Sequence, residues 1–206
     1  MKNKLLFIAF AIVTIAVFTA CEKEKFIDET GNLVPETVDL DPTLSSITAN
    51  GAMLHSEAYG DPDHAMIVCV HGGPGADHRY MLNCLDLAER GYYVVFYSQL
   101  GSGLSQRFPE SYYTDLEEDG VNLVYDELTD VIAHYRTSPD QKVYLLGHSW
   151  GAMLVTAYTG KYPDAIDGLV VCEPGGLKWE DVMTYVRESR SFGLFGELLN
   201  DVTYMD

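Results

Sequence analysis

The sequence predicts an α/β fold in which a mostly parallel, doubly wound sheet is covered by helices on both faces. Apolar runs typical of strands alternate along the chain with amphipathic segments typical of helices. The run from Ala65 to Val70 is apolar at every position, which indicates a strand buried on both faces. Glycine-rich motifs at 71–75 and 147–151 each follow a predicted strand. Because ligand sites in such sheets form where the strands end, both motifs are expected at one edge.

The start of the chain has the pattern of an export signal. Two lysines precede an apolar run of 14 residues, Leu5 to Phe18, which is short for a membrane span. Small residues then lead to Cys21, and this sequence resembles a bacterial lipoprotein processing site. The resemblance implies a signal peptide at 1–20, lipidation of the Cys21 thiol, and a lipid anchor to a membrane of the bacterial cell envelope. An uncleaved signal anchor or an ordinary secretory peptide is the alternative. The acidic stretch 21–44 is expected to be a flexible tether.

The remaining elements follow from periodicity and from turn residues. Asn50-Gly51 joins residues 45–49 and 52–59 into a predicted hairpin at the start of a core that spans 45–176. The elements after it are a strand at 65–70, a helix at 77–90, a strand at 92–97, a largely helical stretch at 112–135, a strand at 142–146, a helix from 152 to 158 and a strand at 164–172. Gly91 is positioned to end the first helix, and Gly120 to start the second. Residues 177–206 are expected to begin a helical cap.

Residues 147–151, Gly-His-Ser-Trp-Gly, have the Gly-x-Ser-x-Gly form of a nucleophile elbow. The motif lies between a strand and a helix, which is the context that the elbow requires. Glycines on either side leave room for a strained turn, because side chains there would collide with the neighbouring strand and helix. Such a turn aims the Ser149 hydroxyl above the sheet edge. It also sets the Trp150 N–H at a helix start, where an oxyanion is stabilised.

Three motifs in order resemble the α/β-hydrolase fold. They are His-Gly-Gly-Pro-Gly at 71–75, Gln-x-Gly-Ser-Gly-x-Ser at 99–105, and the elbow. Within that fold, the first motif together with Trp150 is similar to the proline iminopeptidase group. The resemblance implies that Ser149 is the nucleophile that forms an acyl-enzyme, and that the backbone N–H groups of Gly73 and Trp150 form the oxyanion hole. No cofactor is implied. His71 and His148 are expected to be scaffold residues rather than catalytic bases.

The chain departs from the family pattern at two places. The loop after the fourth strand usually reads Asp-Gln-Arg-Gly, but here residues 98–101 are Ser-Gln-Leu-Gly, so an Asp/Arg pair that would brace the loop is missing. In the family the acid and then the histidine follow the serine, yet no histidine follows His148. We expect both to lie beyond Asp206, in which case the sequence is a truncated product or fragment with very low turnover. Another catalytic arrangement and an inactive protein are the alternatives.

The substrate is the least determined feature. An N-terminal prolyl peptide needs a carboxylate to meet its free amine, and Glu180 is a candidate in the cap segment. Trp179 is a candidate for an apolar pocket, and Glu173, at the end of the sixth strand, is an alternative acid. Simpler interpretations exist for all three residues. Glu180 would be a solvated helix charge, Trp179 a packing residue, and Glu173 a partner for a backbone group or for Lys178. A carboxylesterase or lipase, and a non-catalytic binding lipoprotein, are the rival functions.

Composition excludes some classes of partner. The formal net charge of -18 disfavours binding to nucleic acid, and no basic patch argues otherwise. The three cysteines after Cys21 do not have the pattern of a disulfide framework, and no Cys or His spacing suggests a metal site. We therefore expect no metal and no nucleic acid, and the family resemblance implies a small peptide or ester substrate.

Overall fold

A computed structural model describes residues 36–114, 116, 120–176, 178, 180 and 184 of the chain. The described part is a single sheet with helices on both faces. Its strands are β1 (Ser46–Ala49), β2 (Ala52–Tyr59), β3 (Ala65–Val70), β4 (Tyr92–Tyr97), β5 (Val143–His148) and β6 (Gly168–Cys172). Its α-helices are α1 (Asp86–Glu89), α2 (Glu110–Thr114), α3 (Gly120–Tyr135) and α4 (Trp150–Lys161), and a 3₁₀ helix spans His78–Leu85.

The strands lie in the order β1-β2-β4-β3-β5-β6. β1 and β2 form the antiparallel hairpin predicted around Asn50-Gly51, and β2 continues antiparallel to β4. β4, β3, β5 and β6 are mutually parallel. In the parallel register Val70 lies opposite both Tyr97 and Gly147, so these strands end at the same edge of the sheet. The glycine motifs at 71–75 and 147–151 therefore meet there, as the sequence predicts, and the loop after β4 begins at the same edge.

The core has two layers because β3 alternates its side chains between them. Met66, Val68 and Val70 face one layer, which also contains Leu128 and Val155 from α3 and α4. Ile67 and Cys69 face the other layer, with Val94, Phe96 and Met81. Burial on both faces explains the uninterrupted apolar run of this strand. Among the described residues, no helix combines the length and the apolar character needed to cross a bilayer.

Three segments differ from the sequence prediction. The helix expected at 77–90 begins as the 3₁₀ helix and becomes α-helical only at Asp86, because capping signals fix helix ends but not helix pitch. The strand expected at 164–172 starts at Gly168. The preceding residues form a turn in which the Ala165 N–H donates to Tyr162 O, and Asp167 bonds to the backbone of Val143.

The third difference lies in the expected tether. Within 21–44, residues 36–44 form turns that pack on the fold. Val38 is buried, and its N–H donates to the carbonyl of Leu104 at 2.9 Å. A valine side chain inside an acidic stretch gains apolar burial there, which the average composition of the stretch does not reveal. The lipidation site predicted at Cys21 lies outside the described residues.

Candidate active site

Ser149 occupies a strained turn between β5 and α4. Its backbone has φ 53° and ψ -117°, a conformation that few residues other than glycine adopt. The turn is held from both sides. The Ser149 N–H donates to Cys172 O on β6 at 3.0 Å, and its carbonyl accepts from Ala152 and Met153 in the first turn of α4. The half-buried serine is thus fixed at the sheet edge by backbone hydrogen bonds.

The two flanking glycines are required by close backbone contacts. A Cβ at Gly147 would lie 2.4 Å from the carbonyl oxygen of Gly151. A Cβ at Gly151 would lie 2.1 Å from Val70 O and 2.6 Å from His71 O. These distances are below any van der Waals contact, so α4 packs on the end of β3 only because residue 151 lacks a side chain.

A helix N-terminus and a glycine-rich loop lie next to this serine. Trp150 is the first residue of α4, so its N–H is one of the four that have no acceptor within the helix, and the helix dipole adds positive potential there. The loop 71–75 lies against the elbow, since a Cβ on Gly72 would be 3.0 Å from Ser149 Cβ. Gly73 has φ 131°, where a Cβ would meet Gly75 N at 2.6 Å. Glycine at 73 is therefore required by the tight backbone of the loop itself.

His71 is a buried scaffold residue, as the sequence predicts. Its Nε2 accepts from the N–H of Gln99 at 2.9 Å, and its Nδ1–H donates to Gly72 O at 2.8 Å. Both ring nitrogens are therefore used, in the neutral tautomer with the proton on Nδ1. Burial lowers the pKa of His71 below its usual range, which keeps the ring neutral. The side chain of Gln99 extends this network, because it donates to His71 O and accepts from Trp150 Nε1.

His148 is engaged by Tyr80, a residue that the sequence analysis did not identify. The Tyr80 hydroxyl accepts from the N–H of Gly72 at 2.6 Å and donates to His148 Nδ1 at 2.9 Å. The two rings meet edge to face at 5.3 Å between centroids. Tyr80 thus links the 71–75 loop to the elbow. No residue type or spacing in the sequence indicates this link, because Tyr80 lies within a stretch predicted as helix.

The loop after β4 is braced by contacts other than an Asp/Arg pair. Ser98 Oγ bonds to Nδ1 of the buried His78 at 2.9 Å. One residue beyond Gln99, the N–H of Leu100 donates to Glu127 Oε2 at 2.9 Å. Glu127 belongs to α3 and is only 2% exposed, and this burial raises the pKa of its carboxyl to about 8. The loop therefore has two buried polar supports in place of the missing pair.

The sequence carries a signal for the burial of Glu127. It lies three residues after Val124 and four before Val131, so it interrupts the apolar stripe of α3. A glutamate in that position must be buried, and a buried carboxyl requires a partner or a special role.

The other predicted site residues are not brought to Ser149. Glu173 follows β6 at the same sheet edge, with φ 44°, and is exposed. Glu180 is exposed, and Trp179 lies outside the described residues. Within the described ranges, no imidazole is hydrogen-bonded to Ser149 Oγ, and no group of three or more His, Cys, Asp or Glu side chains is arranged to hold a metal ion.

Comparisons with known proteins agree with this geometry. A sequence profile described as serine aminopeptidase, S33, matches residues 61–202. Proline iminopeptidases of Thermoplasma volcanium and Saccharolobus solfataricus are each 35% identical, over 115 and 107 residues; the matches cover 56% and 51% of this chain and 36% and 32% of those proteins. The chain thus spans about a third of the length of these curated relatives.

A solved structure gives the same fold. The proline iminopeptidase of Mycobacterium smegmatis is 27% identical with a TM-score of 0.53, over 63% of this chain and 44% of that chain. The α/β-hydrolase fold predicted from the three motifs is therefore confirmed over the part of the fold that the chain covers.

Proposed function

Since this chain belongs to the serine aminopeptidase S33 family of hydrolases, we propose that it contributes the nucleophile and the oxyanion hole of a serine peptidase. The observation that carries this proposal is the backbone of Ser149, a serine at positive φ where glycine is the usual residue. Strain of this kind persists when a side chain must be presented at one position. Here that position is the carboxyl edge of the sheet, next to the first turn of α4.

The reaction that this geometry supports is acyl transfer. Ser149 Oγ attacks the substrate carbonyl, and the negative charge that develops on the carbonyl oxygen is stabilised by the N–H groups of Gly73 and Trp150. The amine leaves, and water then hydrolyses the acyl-enzyme. Removing one such N–H donor typically raises the activation barrier by about 3 kcal/mol. In this proposal the loop 71–75 takes part in catalysis, because it carries the Gly73 N–H.

Among the described residues, no histidine is placed to act as the general base for Ser149. His71 uses both ring nitrogens for the backbone, and His148 Nδ1 is bonded to Tyr80. We therefore retain the hypothesis that the base and its acid come from sequence after Asp206, with Glu173 as an alternative acid at the same edge. Without a base, a serine hydroxyl is a weak nucleophile, and the 206 residues alone are expected to turn over very slowly.

The relatives support a proposal for the substrate class. Those that match at 35% identity are proline iminopeptidases, so we propose a peptide with an N-terminal proline, and Glu180 and Trp179 remain candidates for its binding. Comparing the hydrolysis of a proline arylamide with that of a simple acyl ester distinguishes an aminopeptidase from an esterase. Cleavage of the arylamide by the product of the complete gene, lost in Ser149→Ala, is the expected result.

A fluorophosphonate probe tests the nucleophile itself, because it labels only an activated serine. Labelling at Ser149 in the product of the complete gene, found by peptide mass spectrometry and absent in Ser149→Ala, supports the proposal. Labelling at another residue, or none at all, contradicts it and favours a binding protein on a hydrolase scaffold.

We also propose that the protein is exported and anchored through lipid on Cys21. The proposal is supported by the two lysines, the short apolar run and the small residues before Cys21. Metabolic labelling with an alkyne fatty acid in a bacterial host tests it. Incorporation that is lost in Cys21→Ser is expected, and equal labelling of both proteins would contradict the anchor.

A further inference from the structure

A cavity of about 390 Å³ opens beside the elbow, between the 71–75 loop, the loop after β4 and α3. Its lining includes Pro74, Leu100, Phe108, Tyr113, Glu127 and Trp150. Because Trp150 is the neighbour of Ser149, the cavity adjoins the proposed nucleophile. Its volume lies within the range of small-molecule sites.

Glu127 is the one carboxyl among the residues that line this cavity, which also include the polar Gln99 and Ser102. Its Oε2 accepts from the N–H of Leu100, but Oε1 has no hydrogen-bond partner among the described residues. The side chain is 2% exposed, so this oxygen is also cut off from bulk water. A buried carboxyl oxygen without a partner costs free energy, and such a group is retained when a ligand completes its hydrogen bonding.

The walls determine what kind of ligand fits. Phe108, Tyr113 and Trp150 are aromatic and Leu100 is aliphatic, so most of the lining offers apolar or π surface rather than hydrogen bonds. A carboxyl group among aromatic rings favours a cation that carries an apolar group, because both the charge and the ring faces attract it. Tyr97 interacts electrostatically with Glu127, and the ionisable side chains of Arg107 and Tyr113 line the same cavity. Burial and Glu127 itself raise the pKa of Tyr97, so it stays neutral, and the Arg107 guanidinium donates to Gly103 O.

We propose that this cavity is a binding subsite in which Glu127 Oε1 accepts a hydrogen bond from the primary or secondary ammonium of a small, otherwise apolar ligand. The identity of that cation rests on the proposed function, in which the free amine of an N-terminal residue must lie close to Ser149. The prolyl ring then packs against the aromatic walls, and the ammonium meets the carboxylate.

Binding of the cation requires Glu127 to release its proton. The free carboxyl has a pKa of about 8 and is mostly protonated at neutral pH. When an ammonium binds, the carboxyl proton passes to solvent and the carboxylate accepts the new hydrogen bond. Proton release is therefore expected at neutral pH and should diminish as the pH rises past 8.

The test is calorimetric titration of the 206-residue chain with L-prolinamide, and with N-acetyl-L-prolinamide, which has no ammonium. Two buffers of different ionisation enthalpy measure the protons released. Glu127→Gln keeps an oxygen for the Leu100 N–H but cannot become anionic. Asp126→Asn, an exposed carboxylate on the same helix, is the matched control.

We expect prolinamide to bind the wild type with proton release at neutral pH. Glu127→Gln should weaken binding about tenfold or more, Asp126→Asn should leave it unchanged, and the acetylated ligand should bind far more weakly. No binding to the wild type, equal binding of both ligands, or equal affinity in Glu127→Gln overturns the subsite. If the variant does not fold, equal binding of the two ligands to the wild type still overturns it. These outcomes do not depend on fluorophosphonate labelling of Ser149, so failure of this proposal and failure of the proposed function are distinguishable.

Discussion

Replacing Gly151 with alanine tests the packing on which the elbow depends. The added Cβ would lie 2.1 Å from Val70 O and 2.6 Å from His71 O, both of which are backbone atoms that cannot rotate away. Relief of the overlap requires the start of α4 to move away from the end of β3 by roughly an ångström. Overpacking of this kind costs about 1–3 kcal/mol, and the rigid neighbours put the expected cost at the upper end, about 3 kcal/mol.

Gly160 is the matched control because it lies on the same helix with nothing within 4 Å of a Cβ. Alanine there is expected to raise stability by about 0.5–1 kcal/mol, since alanine is the better helix former. Urea unfolding followed by circular dichroism gives both free energies of unfolding with their m-values. We expect the free energy of unfolding to fall in Gly151→Ala and to rise in Gly160→Ala. A Gly151→Ala protein as stable as the wild type would refute the close approach of α4 to β3.

Three further substitutions follow from the site. Ser149→Gly should raise the free energy of unfolding by about 1 kcal/mol, because it removes a strained positive φ, whereas Ser149→Ala should not; equal stability of both in urea would contradict the strain. Tyr80→Phe should cost about 1 kcal/mol, because Gly72 N–H and His148 Nδ1 lose their partner, and an unchanged urea midpoint would count against that link. The pKa of Glu127 is about 8 in the folded protein, against an ordinary value of 4.5. The free energy of unfolding of the wild type should therefore fall relative to that of Glu127→Gln as the pH rises from 5 to 8. A difference between the two proteins that stays constant over this pH range would refute this prediction.

Much of the fold was predictable because turn and strand signals agreed. Asn50-Gly51 fixes the hairpin, the uninterrupted apolar run fixes β3, and the start of α3 at Gly120 is as predicted. The register that brings the glycine motifs to one edge follows from parallel strands alone. The 3₁₀ helix at His78–Leu85 was not predictable, because spacing of apolar residues does not distinguish two helical pitches over eight residues.

The site was predictable only in part. The Gly-x-Ser-x-Gly pattern locates Ser149 and explains Gly147 and Gly151 by steric contact alone. The partners of the polar supports were not predictable, because they depend on tertiary contacts between residues far apart in sequence. Leu100 and Glu127 are separated by 27 positions, and Tyr80 and His148 by 68. The missing Asp/Arg pair predicts a loss of bracing, whereas the folded chain supplies other braces.

The most direct measurement is a crystal structure of the chain soaked with the boronic acid analogue of proline. Boron accepts a serine oxygen and becomes tetrahedral, with a hydroxyl oxygen where the oxyanion would develop. We expect boron bonded to Ser149 Oγ and that oxygen within hydrogen-bond distance of the backbone nitrogens of Gly73 and Trp150. Boron attached elsewhere, or either N–H directed away from that oxygen, would contradict the proposed oxyanion hole.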